Sequence, residues 1–99
     1  MDEKKLVASE ASSRFRVTGR VQGVGFRWYT EKLANEIGVR GWVRNCSDGS
    51  VEAVASGTEA QLEEFERVLR RGPSGSRVRN LERTEEAERS VDNRFSIIY

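Results

Sequence analysis

A glycine-rich stretch at residues 19–27 joins two segments whose apolar residues repeat with different periods. Before it, residues 14–18 alternate polar and apolar side chains, which predicts a strand with one buried face. After it, from about Trp28, apolar residues recur at spacings of three and four, which predicts a helix. The chain must therefore pass from a strand, through a tight loop, straight into a helix.

This loop has the features of an anion-binding site. Glycines at 19, 23 and 25 let the backbone take positive φ and approach a ligand closely. The helix N-terminus behind them presents unpaired N–H groups and a partial positive charge. Arg27 adds a planar guanidinium that can bind two oxygens of one phosphate or carboxylate. The spacing alone leaves a plainer alternative open, in which the glycines only make a tight turn and Arg27 is a solvated residue.

Two further patterns predict the next part of the chain. The first helix has one apolar face and ends at Gly38, and residues 42–43 and 51–56 form a hairpin around a tight turn at residues 47–50. The apolar face consists of Phe26, Tyr29, Leu33, Ala34 and Ile37.

The second half of the sequence predicts a helix between two strands. A capping box of Thr58 and Gln61 begins the helix, and Gly72 ends it. Residues 78–83 are weakly patterned, as in an edge strand, and residues 84–92 form a polar connection to a final strand at 95–99. The apolar stripe of this helix consists of Leu62, Phe65, Val68 and Leu69.

This order of elements predicts an α+β fold, a ferredoxin-like split βαβ sandwich. We expect an antiparallel sheet of four to five strands with two helices on one face. Residues 1–13 are polar and form a disordered N-terminal extension in this interpretation, and residues 14–99 form the domain.

Composition removes several classes of function. The chain of 99 residues has no histidine, which excludes Ser-His and Cys-His nucleophile pairs and histidine-based metal sites. Its single cysteine, Cys46, cannot form an internal disulfide, which favours a reducing compartment, the cytoplasm. A net charge of +1 and the lack of a long apolar run predict no nucleic-acid partner, no membrane span and no secretory signal.

Two motifs in this order resemble the signatures of the acylphosphatase family: GRVQGVGFR at residues 19–27 and GWVRNCSDGSVE at residues 41–52. The resemblance covers residues 14–99. It implies the ferredoxin-like fold and hydrolysis of the carboxyl-phosphate bond of acyl phosphates without a metal or other cofactor. By motif position, Arg27 matches the family's phosphate-binding catalytic arginine, and Asn45 matches the asparagine that orients the attacking water.

The same resemblance predicts a phosphate-binding loop and leaves the proton acceptor open. Our hypothesis is that a phosphoryl oxygen of the substrate accepts the proton of the attacking water, and the carboxylate of Glu52 is the competing candidate. We expect the loop to bind the substrate phosphate mainly through backbone N–H groups. Its residues are Gln22, Gly23, Val24, Gly25, Phe26 and Arg27.

The predicted partners are a small acyl phosphate and inorganic phosphate, the latter as product and inhibitor. We expect a monomer and, because the sequence ends at Tyr99, a free-standing enzyme rather than a domain of a larger carbamoyl-transfer protein. Two alternatives stand beside this interpretation. One is a phosphate-binding or other anion-binding module without catalysis, and the other is an RNA-binding ferredoxin-like module, although the sequence lacks its aromatic-rich motif.

Overall fold

The computed structural model describes residues 9–87 and 92–99 of the chain. Strands and helices alternate much as the sequence predicts. In chain order they are β1 (Glu10–Arg20), α1 (Phe26–Ile37), β2 (Arg40–Asn45), β3 (Val51–Thr58), α2 (Glu59–Arg71), β4 (Arg77–Glu85) and β5 (Phe95–Ile97).

The strands form one sheet in the order β4-β1-β3-β2-β5. Neighbouring strands β4 and β1, β1 and β3, and β3 and β2 are antiparallel, whereas β2 and β5 are parallel. The predicted ferredoxin-like fold is confirmed, and β4 lies at an edge as expected. The sheet is mixed, because the short last strand extends it beside β2 in the parallel direction.

Strand β1 has 11 residues and is longer than the predicted strand at 14–18. Its first residues were missed because they are polar, yet Ser12 and Ser13 are buried. The hydroxyl of Ser12 lies 2.6 Å from that of Ser56 on β3, so a hydrogen bond satisfies both groups inside the sheet. Residues 10–13 of the predicted extension therefore belong to β1, Ser9 precedes this strand, and residues 1–8 lie outside the described residues.

The core lies between the sheet and both helices, and three phenylalanine rings connect its parts. Phe65 on α2 is 5.2 Å from the ring of Phe15 on β1 and 5.4 Å from that of Phe95 on β5. These distances suit edge-to-face and tilted contacts between aromatic rings. The rings thus connect α2 to the inner strand β1 and to the edge strand β5.

Helix α1 buries a narrower face than predicted. Phe26, Thr30 and Ala34 are its buried residues, whereas Tyr29, Leu33 and Ile37 are only half-buried. Thr30 was missed because it is polar, but its hydroxyl donates to the carbonyl of Phe26 at 2.8 Å and so needs no water.

The predicted ends of both helices are confirmed. The backbone N–H of Gly38 donates to the carbonyl of Ala34 at the end of α1. At the start of α2, Thr58 and Gln61 form a reciprocal capping box, and Gly72 ends the helix. Part of the predicted polar connection, residues 88–91, lies outside the described residues.

Candidate active site

A cavity of about 310 Å³ lies at one end of the sheet, between the loop before α1 and the ends of β2 and β5. Arg27 and Asn45, the two predicted catalytic residues, both line it. The two residues are 18 positions apart in the sequence, and the strand-loop-helix passage brings them to one concave surface. This convergence makes the cavity the candidate active site.

Not every residue of the predicted phosphate loop faces this cavity. Gly23, Gly25 and Phe26 line it beside Arg27. Val24 packs against the core, and the side chain of Gln22 contacts the turn between β2 and β3.

Two glycines shape the loop, and they do so through backbone conformation. Gly23 has a φ of 76° and Gly25, the residue before α1, has a φ of 77°. A Cβ atom at either position would meet no atom within 4 Å, so the protein leaves this side of the loop open. Left-handed φ values are costly for other residues, which explains glycine at both positions.

Gly19 has another role than the one predicted for it. It belongs to β1, where the register with β4 shifts between Thr18 and Gly19. A Cβ atom there would lie 2.2 Å from the carbonyl oxygen of Arg77 on β4. The missing side chain of Gly19 therefore lets two strands approach, and it has no part in the cavity.

Helix α1 directs its positive end at the cavity. Its first intrahelical hydrogen bond runs from the N–H of Tyr29 to the carbonyl of Gly25. The N–H groups of Phe26, Arg27 and Trp28 therefore have no partner within the helix. The first turn carries no acidic side chain that would cancel the partial charge.

The guanidinium of Arg27 lies against an aromatic ring. Its central carbon is 4.9 Å from the centre of the Tyr99 ring, within the range of a cation–π contact. Tyr99 lines the same cavity and is 96% exposed. Contact with a ring face leaves the in-plane N–H groups of a guanidinium available to an anion.

Asn45 is the last residue of β2, and the loop is tied to the turn that follows it. The side-chain nitrogen of Gln22 donates to the carbonyl oxygens of Cys46 and Ser50, at 2.7 and 2.8 Å. The sequence predicts that the loop, Gln22 included, acts mainly through backbone N–H groups. Its side chain instead holds the loop and the end of β2 together, so it positions Asn45 relative to Arg27.

Glu52 lies on the other face of the sheet. Side chains alternate along a strand, and the neighbours of Glu52 on β3, Val51 and Ala53, belong to the core on the helix side. Glu52 accepts hydrogen bonds from Arg44, at 2.7 and 2.9 Å, and from Arg14. Its side chain therefore lies on the sheet face opposite to that of Asn45, which shares the helix side with the core residue Val43 on β2.

The electrostatics of Glu52 fit a structural ion pair. Burial by itself raises the pKa of its carboxyl, but the hydrogen bonds and charges of Arg44 and Arg14 outweigh burial. The net result is a pKa below the ordinary value of 4.5. Such a group stays ionised and bound to its partners, which is unsuitable for a general base.

Four residues of the cavity wall, the buried Val21 among them, were not predicted as site residues. Trp28 follows Arg27 on α1, and Ile97 and Tyr99 come from the end of the chain. The sequence predicts a final strand over 95–99, but β5 ends at Ile97 and Tyr99 lies beyond it. No local pattern in the sequence indicates that this segment returns to the loop before α1.

A larger groove of about 530 Å³ lies between the two helices. Leu33, Ile37 and Val68 form its apolar floor, with Glu36 and Glu64 among its charged residues. It contains neither predicted catalytic residue, so its size alone does not make it the active site.

Residues 9–87 and 92–99 contain neither a candidate metal-binding cluster nor a candidate membrane-spanning helix. No three His, Cys, Asp or Glu side chains of this part of the chain are placed to hold a metal ion. Within the same ranges, no helix has the length and apolar composition needed to cross a membrane.

The fold and the cavity together define a class, a ferredoxin-like α+β domain with a cavity at the N-terminus of its first helix. The model of one family, acylphosphatase, matches residues 13–97. The chain belongs to the acylphosphatase family. Relatives that are named acylphosphatases and align over most of the chain identify it as a hydrolase of this type.

The similar proteins include one relative known from sequence and two solved structures. An acylphosphatase of Koribacter versatilis is 48% identical over 80 residues, which are 81% of this chain and 73% of the relative. The crystal structure of an acylphosphatase from Bacillus subtilis is 38% identical, with a TM-score of 0.86 over 92% of this chain and 100% of the other. Full-length HypF in a phosphate- and nucleotide-bound form is 25% identical, with a TM-score of 0.81 over 94% of this chain and 12% of HypF.

Proposed function

We propose that this cavity hydrolyses the carboxyl-phosphate bond of acyl phosphates, giving a carboxylate and inorganic phosphate. The convergence of Arg27 and Asn45 on one cavity, beside the positive end of α1, carries the proposal. The phosphoryl end of such a substrate is anionic, and its carboxylate is already a good leaving group. Placement and charge stabilisation therefore suffice for most of the catalysis.

The phosphoryl oxygens bind to the loop in this proposal. Left-handed residues at Gly23 and Gly25 turn successive backbone N–H groups toward one side, as in an anion-binding nest. The N–H groups of the segment from Gln22 to Phe26 hold the phosphoryl group, and Arg27 binds two of its oxygens through its planar fork. These donors are in place before the substrate arrives, so they stabilise charge in the transition state at little reorganisation cost.

Asn45 holds the water that attacks. Its side-chain carbonyl accepts a hydrogen bond from the water, and its neutral amide adds no negative charge beside the phosphate. The water oxygen attacks phosphorus, the bond from phosphorus to the carboxyl oxygen breaks, and the carboxylate leaves with the electron pair. A phosphoryl oxygen accepts the proton of the water, so the products are a carboxylate and dihydrogen phosphate. The position of Glu52 on the opposite sheet face supports this acceptor over Glu52.

We also propose that the partner is a small molecule and not nucleic acid. Arginines on the open face of the sheet are paired with carboxylates: Arg14 and Arg44 with Glu52, and Arg16 with Asp48. Compensated arginines attract a phosphate backbone weakly. The lone Cys46 supports a reducing compartment such as the cytoplasm.

The test is hydrolysis of benzoyl phosphate in excess chelator. We expect metal-independent turnover by the wild type and a loss on the order of 10²- to 10³-fold in kcat/KM for Arg27→Ala. Arg27→Lys does not restore the rate, because an ammonium cannot replace a planar fork. We expect Asn45→Ala to lower kcat while the Kd for inorganic phosphate stays near the wild-type value.

Matched control variants distinguish the loss of a site residue from the loss of the same residue type elsewhere on the surface. Arg20→Ala removes an exposed arginine at the end of β1, and Asn80→Ala removes an exposed asparagine on β4. Both retain wild-type turnover in our expectation, and circular dichroism verifies the fold of all variants. Phosphate binding without turnover by the wild type would instead support an anion-binding module. Near-normal rates in Arg27→Ala or Asn45→Ala would remove the assigned roles.

A further inference from the structure

Large apolar side chains on the surface concentrate at the cavity. Among the described residues, three such side chains are exposed: Trp28 at 64%, Ile98 at 38% and Tyr99 at 96%. Trp28 and Tyr99 both line the cavity, although one begins α1 and the other follows β5. Exposed aromatic rings that converge on one concavity indicate a surface for an apolar ligand group.

These rings lie next to the proposed phosphate site. Trp28 is the residue after Arg27, and the Tyr99 ring is 4.9 Å from the guanidinium carbon of Arg27. Ile97, half-buried at the end of β5, lines the cavity with them. A ligand whose anionic end is held by Arg27 therefore has apolar side chains within reach of its other end.

Charge selects the kind of group that fits there. Among the described residues that line the cavity, Arg27 is the only one with a charged side chain. On the far end of the ligand, an ammonium would lose water and meet no anionic side chain of this wall, and a carboxylate would lose water while Arg27 is already bound to the phosphate. An uncharged apolar group loses no hydrogen bond when it enters.

We propose that Trp28, Ile97 and Tyr99 form a subsite for the acyl group of the substrate. The subsite favours an aromatic or other bulky apolar acyl group over a small one such as acetyl. This inference rests on the proposed function, because it names the class of acyl phosphate that the same cavity uses. The cavity volume of about 310 Å³ is at the lower end of the range for small-molecule sites, which suits one ring beside a phosphate.

The first experiment compares benzoyl phosphate with acetyl phosphate. The ratio of their kcat/KM values is measured for the wild type, Trp28→Ala and Tyr99→Ala. Each ratio is divided by that of the wild type, so the different reactivities of the two compounds cancel. Any weakening of Arg27 by the loss of Tyr99 affects both substrates and cancels too. We expect the benzoyl preference to fall about three- to tenfold for each lost ring.

Ile98→Ala is the matched control, because Ile98 is also exposed and precedes Tyr99 but does not line the cavity. It keeps the wild-type ratio in our expectation. Trp28→Phe, which retains a ring at the same place, restores part of the preference. An unchanged ratio in both alanine variants would overturn the subsite.

The second experiment measures binding without turnover. Benzoylphosphonate and acetylphosphonate carry the same acyl groups on a carbon–phosphorus bond, which this hydrolysis does not cleave, and calorimetry gives their Kd values. We expect the wild type to bind the benzoyl compound more tightly and both alanine variants to lose that preference. Equal wild-type affinities for the two phosphonates would overturn the subsite. If the phosphonate preference exists but neither acyl phosphate is hydrolysed, the proposed function fails and the subsite stands.

Discussion

The side-chain nitrogen of Gln22 lies 2.7 Å from the carbonyl oxygen of Cys46, the residue that follows Asn45. This hydrogen bond, with a second one to Ser50, connects the loop before α1 to the turn after β2. Arg27 belongs to the first of these elements and Asn45 to the second. The amide side chain of Gln22 therefore links the two elements that carry the proposed catalytic groups.

Loss of this amide should lower kcat/KM strongly and the free energy of unfolding only slightly. In Gln22→Ala, the carbonyls of Cys46 and Ser50 keep backbone donors, the N–H groups of Gly49 and Cys46. We therefore expect the free energy of unfolding to fall by only about 1 kcal/mol. Misplacement of the loop relative to Asn45 should cost on the order of tenfold or more in kcat/KM. Denaturant unfolding and benzoyl phosphate kinetics provide the two numbers.

Gln22→Glu is the informative companion, because it has nearly the same shape but cannot donate to two carbonyl oxygens when ionised. It should be at least as impaired as Gln22→Ala. Full activity in both variants would show that the loop keeps its position without this contact.

The contact between Arg27 and Tyr99 predicts a difference between two substitutions. Tyr99→Phe keeps a ring face for the guanidinium, so its Kd for inorganic phosphate should stay close to that of the wild type. Tyr99→Leu removes the ring and frees Arg27 to move, and the Kd should rise about two- to fivefold, as for a cation–π contact at an exposed site. Calorimetric titration with phosphate measures both. Equal Kd values for the two variants would show that the ring does not hold Arg27.

Gly23→Ala should separate strain in the loop from damage to the site. Gly75, in the loop after α2, has a φ of 89° and, like Gly23 at 76°, no atom within 4 Å of an added Cβ. Both alanine variants should therefore lose a similar free energy of unfolding, about 1–2 kcal/mol. Only Gly23→Ala places a methyl group in the cavity wall and should weaken phosphate binding. Equal phosphate affinities for the two variants would remove the loop backbone from the anion site.

Much of the fold follows from local patterns in the sequence. The capping box of Thr58 and Gln61 and the stop at Gly38 depend on backbone groups a few residues away, so the local sequence predicts them. The length of β1 does not follow in this way, because Ser12 is buried through a hydrogen bond with Ser56, 44 residues further on. A prediction from local sequence alone assigns polar residues to loops, even where their hydrogen-bond partners are distant in the sequence.

In the candidate site too, short motifs identify some residues, and others depend on how the chain folds. The resemblance of two short motifs to one family is enough to name Arg27 and Asn45. It says nothing about Tyr99, whose place at the cavity depends on how the chain returns after β4. It also left Glu52 open as a base, because only strand pairing shows that Glu52 and Asn45 face opposite sides of the sheet.

The pH dependence of stability should reveal the pairing of Glu52. Its pKa in the folded protein is below the ordinary value of 4.5, so its ionised form stabilises the fold. That contribution is complete above about pH 4.5 and is lost as the pH falls through the lower, folded-state pKa. Glu52→Gln should therefore be less stable than the wild type at pH 7, by about 1–3 kcal/mol, and the difference should shrink below pH 4.5.

Glu63→Gln, an exposed residue of α2, is the control and should differ from the wild type by less than about 0.5 kcal/mol throughout. Denaturant unfolding from pH 7 to pH 3 gives the three curves. Turnover at pH 7 tests whether Glu52 acts as a general base. Because Glu52 lies on the sheet face away from Asn45, folded Glu52→Gln should keep its kcat within about twofold. Loss of a general base would instead lower kcat by ~10²-fold. A large loss of kcat in that variant, with phosphate inhibition intact, would identify Glu52 as the proton acceptor and contradict the assignment to a phosphoryl oxygen.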